Sequence, residues 1–368
     1  MTVAALTTDT RLPVTLLTGF LGAGKTTLLN AVLRAETGPK IAVIVNEFGE
    51  AGLDHDLIES VDEEIILMQS GCLCCSVRGD LTRTMADLIE RRQAGDIAFE
   101  RVVIETTGLA DPGPILQTLL VDPYLARNVR MDGVVTVADA ATGPDTLDRQ
   151  FEAVSQIAMA DLLVLSKTDL VSSATAETFE RRLSGLNPTA RILRAGQKTP
   201  SDGALWNLSG LRNTATPKQT LGWLTPGDPA PDPFANLSGL APARSTTDAT
   251  FSPHDARIGS ASIVLDGPIP GADFDLWLDT LIALRGPDIL RVKGVVFLEG
   301  IETPFVFHGV QHVFDPPVPV RDWPAGDRRS RIVVIARDMT RPELVRNLDM
   351  LRAGVPGTTD TLRSEDPA

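Results

Sequence analysis

The chain has no long apolar run, too few basic residues and almost no cysteine, and each shortage excludes something. No stretch of its 368 residues approaches the ~20 consecutive apolar residues that a bilayer-spanning helix requires, so no membrane partner is expected. Met1–Leu12 lacks a basic segment followed by an apolar core, so residues 1–12 read as a flexible tail and not as a leader. Lys and Arg number 34 against 48 Asp and Glu, a net charge of −14. A general nucleic-acid binder needs a surplus of cations to neutralise phosphates, so no nucleic-acid partner is expected. All three cysteines fall within Cys72–Cys75, too close together to staple a fold. That placement implies a reducing, cytoplasmic setting and thiol chemistry at one place.

What is present is globular: 43% hydrophobic and 22% charged residues. The length predicts two domains. From Val14 to about Leu193, short β-branched runs alternate with helix-like segments. The runs are Ile41–Val45, Ile65–Leu67, Val102–Ile104, Val134–Val137 and Leu162–Leu165. This alternation predicts an α/β domain with a mostly parallel sheet over residues 13–196. Proline, glycine, serine and threonine then thicken, giving a linker over 197–257. Strands at Ala261–Leu265, Leu290–Leu298, Phe305–His308 and Arg331–Ile335, with helices at Phe274–Leu284 and Pro342–Leu351, predict a smaller α+β domain over 258–353. Residues 354–368 read as a tail.

The segment that organises the first domain is Gly19-Phe20-Leu21-Gly22-Ala23-Gly24-Lys25-Thr26-Thr27. It fits the phosphate-binding loop between a strand and a helix, so the chain is expected to bind a nucleoside triphosphate. Backbone N–H groups turned inward by the glycines cradle phosphates. Gly22, Ala23, Gly24, Lys25, Thr26 and Thr27 form the cradle, with Lys25 reaching the β- and γ-phosphates and Thr26 coordinating Mg²⁺. In a parallel sheet, ligands sit at the carboxyl ends of strands, and further motifs follow the later strands. Asn46-Glu47-Phe48-Gly49-Glu50 places Glu47 toward a metal or the Mg²⁺, or else in a solvated acidic loop. Glu105-Thr106-Thr107-Gly108-Leu109-Ala110-Asp111-Pro112 supplies Glu105 to orient Mg²⁺ or the attacking water, and the Gly108 N–H to sense the γ-phosphate. Asp139 is a weaker acid of the same kind. Ser166-Lys167-Thr168-Asp169 resembles the Asn-Lys-x-Asp base reader of GTPases. Asp169 accepts two hydrogen bonds that guanine offers and adenine cannot, while Ser166 in place of Asn shortens one contact. No arginine finger stands out beyond Arg78, so intrinsic hydrolysis is expected to be slow.

Cys72, Cys74 and Cys75 lie in a loop entering a helix, where thiolates and soft cations are favoured. Soft sulfur ligands select Zn²⁺, Cu⁺ or similar ions, Co²⁺ accepts the same sites, and two or three thiolates from one loop leave a position open. An inert cluster and a vicinal redox pair are the alternatives. His254, His308 and His312 read as surface or packing residues.

With these motifs laid out, the chain resembles the CobW-like GTPase metallochaperones of the SIMIBI class, relatives of the urease and hydrogenase nickel-insertion GTPases. The likeness runs through the phosphate loop, Asn46–Glu50, Gly71-Cys72-Leu73-Cys74-Cys75, Glu105–Pro112 and Lys167–Asp169. It resumes at Leu290-Arg291-Val292-Lys293-Gly294 and Gly309-Val310-Gln311-His312. The resemblance implies a GTPase that carries Zn²⁺ or Co²⁺ on its cysteines and delivers it to a client metalloprotein, a metal-insertion enzyme or the cobalamin pathway. A metal sensor that transfers nothing is the alternative. Many zinc-handling relatives carry a histidine-rich run in the linker, and this chain does not, which argues against bulk metal storage. Relatives often dimerise, so a homodimer is among the partners the resemblance suggests.

Overall fold

The computed structural model describes residues 9–34, 39–47, 65–69, 76–195, 204–209, 215–224, 257–324 and 326–353. The cysteine loop, most of the Asn46–Asp54 segment and His254 lie outside the described residues, as do the side chains of Glu47 and Arg78.

The first half runs β1 (Leu12–Thr18), α1 (Lys25–Leu33), β2 (Ile41–Glu47), β3 (Ile65–Gln69), α2 (Ser76–Ala94), β4 (Arg101–Thr106) and α3 (Gly113–Val121). It continues with α4 (Pro123–Asn128), β5 (Val129–Asp139), α5 (Gly143–Arg149), α6 (Phe151–Met159), β6 (Leu162–Ser166), α7 (Ser173–Leu186) and β7 (Arg191–Arg194). Its seven strands form one sheet in the order β3-β2-β4-β1-β5-β6-β7, parallel at every pairing. The unbroken apolar runs follow from this arrangement, because a central strand covered on both faces buries successive residues. Along β1, Val14 and Leu16 pack toward α2, α3 and α4, whereas Leu17 packs toward α1. The expected strand at Val134–Val137 extends to Val129–Asp139. It does so by absorbing a bulge at Asp132 opposite β1, where the apolar pattern is broken.

The second half runs α8 (Pro217–Leu224), β8 (Ile258–Leu265), α9 (Gly271–Arg285), β9 (Ile289–Val296), β10 (Phe305–Val310), β11 (Val313–Phe314), β12 (Val318–Pro319), β13 (Ser330–Arg337) and α10 (Arg341–Ala353). Its sheet is antiparallel, ordered β11-β10-β9-β13-β8, with β12 on β10. Helices α9 and α10 cover one face through Phe274, Trp277, Leu281, Leu344 and Leu348.

Part of the stretch read as a linker is packed instead. Leu205, Trp206 and Leu208 join the α1 side of the first core, and Arg101 stacks on Trp206 at 4.2 Å. Trp223 and Leu224 of α8 bury against Val295, Phe297 and Val306. Two tryptophans and several leucines outweigh the loop-like composition around them, since apolar burial stabilises each placement.

The two sheets meet. Leu290, Val310, Val333 and Ile335 enter the same apolar cluster as Val14 and Leu16. Beside it, Asp161 is buried between β5 and β9. Arg291 Nη2 donates to it, Lys293 lies 3.0 Å away, and Trp223 Nε1 donates to it at 2.9 Å. Burial alone would raise the Asp161 pKa, but the two cations hold it far below the ordinary carboxylate range. Burial pushes Lys293 down to about 7 against the pull of Asp161.

Candidate nucleotide site

The site stands at the carboxyl ends of β1, β4, β5 and β6. Strand β1 ends at Thr18, the loop 19–24 turns back, and α1 begins at Lys25. Gly24 makes that turn at φ 100°, a left-handed conformation that a side chain would strain. No side chain caps the first turn of α1, so its N–H groups and positive dipole end face the loop's interior. Lys25 is buried, and its ammonium donates to Gly19 O at 2.9 Å and Phe20 O at 3.4 Å.

Strand β4 runs beside β1, with Leu17 opposite Glu105. Thr106 Oγ1 donates to Thr18 Oγ1 at 2.8 Å, tying the two strand ends together. One residue earlier on the loop side, Thr26 Oγ1 donates to Glu105 Oε1 at 3.0 Å. This hydroxyl–carboxylate pair is a set of hard oxygen donors that fits Mg²⁺. Thr26 would hold the ion and Glu105 would stand beside it; when bound, it neutralises charge on the β- and γ-phosphates. Gly108 comes so close to the phosphate loop that a Cβ there would lie 2.4 Å from Leu21 N. A methyl group cannot fit that contact.

On the far side, β6 leads into Lys167–Asp169, the segment expected from its sequence to read the base. Lys167 adopts φ 54°, and its ammonium donates to Gly22 O and Asp139 Oδ2, each at 2.7 Å. Asp139 is nearly buried, which raises its pKa. Hydrogen bonds from Lys167, Thr142 and the Ala141 N–H more than offset that, so it stays below its ordinary value. Ser166 Oγ donates to Ala23 O at 2.6 Å. The serine that replaces asparagine therefore still clips this segment to the phosphate loop. Asp169 is exposed beside it.

The structure thus brings together Lys25, Thr26, Glu105, Gly108, Ser166 and Lys167, and it adds Asp139 as the partner of Lys167. His308 lies elsewhere, buried in β10 with Nδ1 3.0 Å from Asp315, while His312 follows in the next turn. Among the described residues no group of three or more His, Cys, Asp or Glu is arranged to hold a metal ion. No described helix is long and apolar enough to cross a membrane. One buried side chain behind the site has no counterpart among the sequence motifs. Gln156, fully buried in α6, donates from Nε2 to Gly108 O at 3.1 Å and Ala110 O at 3.0 Å. Its signal in the sequence is the one amide in a mostly apolar helix.

Comparison with known proteins places the chain among relatives of one family. The family profile described as "CobW/HypB/UreG, nucleotide-binding domain" matches residues 13–194. The one described as "Cobalamin synthesis protein cobW C-terminal domain" matches residues 258–352. The zinc chaperone YjiA of Escherichia coli is 32% identical over 335 residues, 90% of this chain and 95% of that protein. The zinc chaperone CobW of Pseudomonas aeruginosa is 30% identical over 382 residues, 92% of this chain and 91% of that one. The crystal structure of Zn(II)-bound YjiA GTPase from E. coli superposes with a TM-score of 0.69 at 28% identity, covering 93% of this chain and 99% of that one.

Proposed function

Since the chain belongs to the CobW/HypB/UreG family, we propose that this GTPase is a metallochaperone. In this reading it carries Zn²⁺ or Co²⁺ on Cys72, Cys74 and Cys75 and gives the ion up to a client protein. The observation that carries the reading is the clustering of Lys25, Thr26 and Glu105 at one loop with Gly108 against Leu21. That is an arrangement built to respond to a terminal phosphate. Similarity to zinc chaperones across nine-tenths of the chain supports the cargo.

The residues divide the work as follows. Lys25 and the α1 N-terminus bind phosphate charge. Asp169 selects guanine, because its carboxylate accepts from two N–H donors that adenine lacks. Glu105 orients the attacking water or the Mg²⁺ beside Thr26. Gly108 donates its N–H to the γ-phosphate and loses that partner on hydrolysis. Loops ordered by GTP bring the thiolates, with Glu47 as an oxygen ligand or Mg²⁺ contact, into ligand geometry. Their relaxation releases the ion. Linkage then requires GTP and metal to raise each other's affinity by the same factor.

The test is a competitive Zn²⁺ and Co²⁺ titration with Mg²⁺ and either no nucleotide, GDP or a non-hydrolysable GTP analogue. Affinity should rise with the analogue alone, and Cys72→Ser, Cys74→Ser and Cys75→Ser should each weaken it while GTP binding measured without metal persists. Metal affinity blind to nucleotide, or unchanged in all three variants, would overturn the proposal. Metal retained through hydrolysis would replace delivery with sensing.

A further inference from the structure

Helix α6 touches both the nucleotide site and the second domain. Its Gln156 amide donates to Gly108 O and Ala110 O, two carbonyls of the loop expected to meet the γ-phosphate. Both partners are carbonyl oxygens, so the nitrogen must face them. The amide oxygen is buried with no hydrogen-bond partner among the described residues. What fixes this side chain is therefore the loop it holds.

The same nine-residue helix is gripped at both ends. The Phe151 ring lies under the Arg257 guanidinium at 4.3 Å and near that of Arg337 at 6.0 Å. At the far end Arg291 Nη1 donates to Met159 O, and Nη2 of the same side chain donates to Asp161 just past the helix. The loop's other flank is tied as well. It leads into α3, where Gln117 Nε2 donates to Gln311 Oε1 in the β10–β11 turn. The Gly108 loop is thus tied to the second domain through two helices, α6 packed beside it and α3 that follows it.

We infer that Gln156 is a positioning residue that couples the Gly108 loop to the second domain through α6, so that the docking of that domain follows the phosphate state of the bound nucleotide. The loop can move in two ways. It can leave two donors of a buried amide unpaired, which is costly, or it can carry α6 with it. A short, packed helix moves as a rigid body, and its far contacts are Arg257, Arg337 and Arg291. The inference does not depend on which metal, if any, is carried.

Hydrogen exchange by mass spectrometry on the full chain tests it, with Mg²⁺ and either GDP or a non-hydrolysable GTP analogue. In the wild type, exchange across Ile289–Val296 and Val310–Val313 should differ several-fold between the two nucleotides. In Gln156→Leu the difference should collapse across Ile289–Val296, although the analogue still binds and the GDP-state protection matches wild type. General destabilisation shifts both nucleotide states alike, so it cannot imitate that loss. If Gln156→Leu fails to fold, Gln156→Asn serves, since it keeps the amide but is one methylene too short to span both carbonyls. No nucleotide dependence in the wild type, or an undiminished difference in the folded variant, overturns the inference.

Discussion

Asp161→Asn is the sharpest test of how the two domains are joined. The substitution keeps the side chain's volume and removes its charge. Arg291 and Lys293 have side-chain exposures of 3% and 1%, and Asp161 is their shared counter-ion at 4%. Asparagine also turns an NH₂ group toward either the cations or the Val134 N–H, which now donates to Asp161 Oδ2 at 3.0 Å. Breaking a buried pair by removing one partner costs about 3–5 kcal/mol, because the surviving charge stays buried. A domain of this size loses roughly 2–4 °C of melting temperature per kcal/mol, so the transition should fall by about 6–20 °C. Thermal and urea unfolding, each followed by tryptophan emission, are the assays, since Trp223 donates to Asp161 and lies under Lys293 at 4.6 Å. Adding Lys293→Met to Asp161→Asn should recover part of the loss, and the cycle isolates the coupling. A single-variant loss below about 1 kcal/mol would mean that water reaches these charges, and the account of the interface would fail.

Three further outcomes are expected. Glu105→Gln should slow GTP hydrolysis by ~10²-fold while analogue affinity stays within a few-fold, as suits a group that works on the reacting water; hydrolysis near wild-type rates would remove Glu105 from that role. Ser166→Ala removes the 2.6 Å bond to Ala23 O and should weaken GDP binding by about 2- to 10-fold, the worth of one hydrogen bond; unchanged affinity in a fluorescence titration would show that the clip is idle. Burial, together with the Arg291 charge, holds His308 below its ordinary 6.5 despite the bond to Asp315 and the nearby charge of Asp161. The folded state therefore binds fewer protons than the unfolded state just below pH 6.5, and this residue's share of stability falls as pH drops through that value. The stability difference between wild type and His308→Asn should accordingly shrink from pH 7 to pH 5. A flat difference, or one of opposite slope, would refute the assignment.

Much of the molecule was legible because its signals are contiguous. A phosphate loop must be one unbroken turn between a strand and a helix, so residues 19–27 identify it without tertiary context. Parallel strands covered on both faces must be apolar at successive positions, so β1, β2, β4 and β6 were visible as runs. The ends of those strands then located Glu105, Gly108 and Lys167. The stretch 197–257 was read less well, because composition registers its prolines but not that Trp206 and Trp223 find cores to enter. The alphabet alone also could not pair Lys167 with Asp139, aim Gln156 at two loop carbonyls, or seat Asp161 between Arg291 and Lys293, whose separation from it in sequence reaches 130 residues for Arg291. A buried charge or amide is tolerable only where a partner completes it, and nothing local in the chain names that partner. The local code determined which motifs stand at the head of the sheet; the packing of one sheet against the other decided which polar groups could be buried beside it.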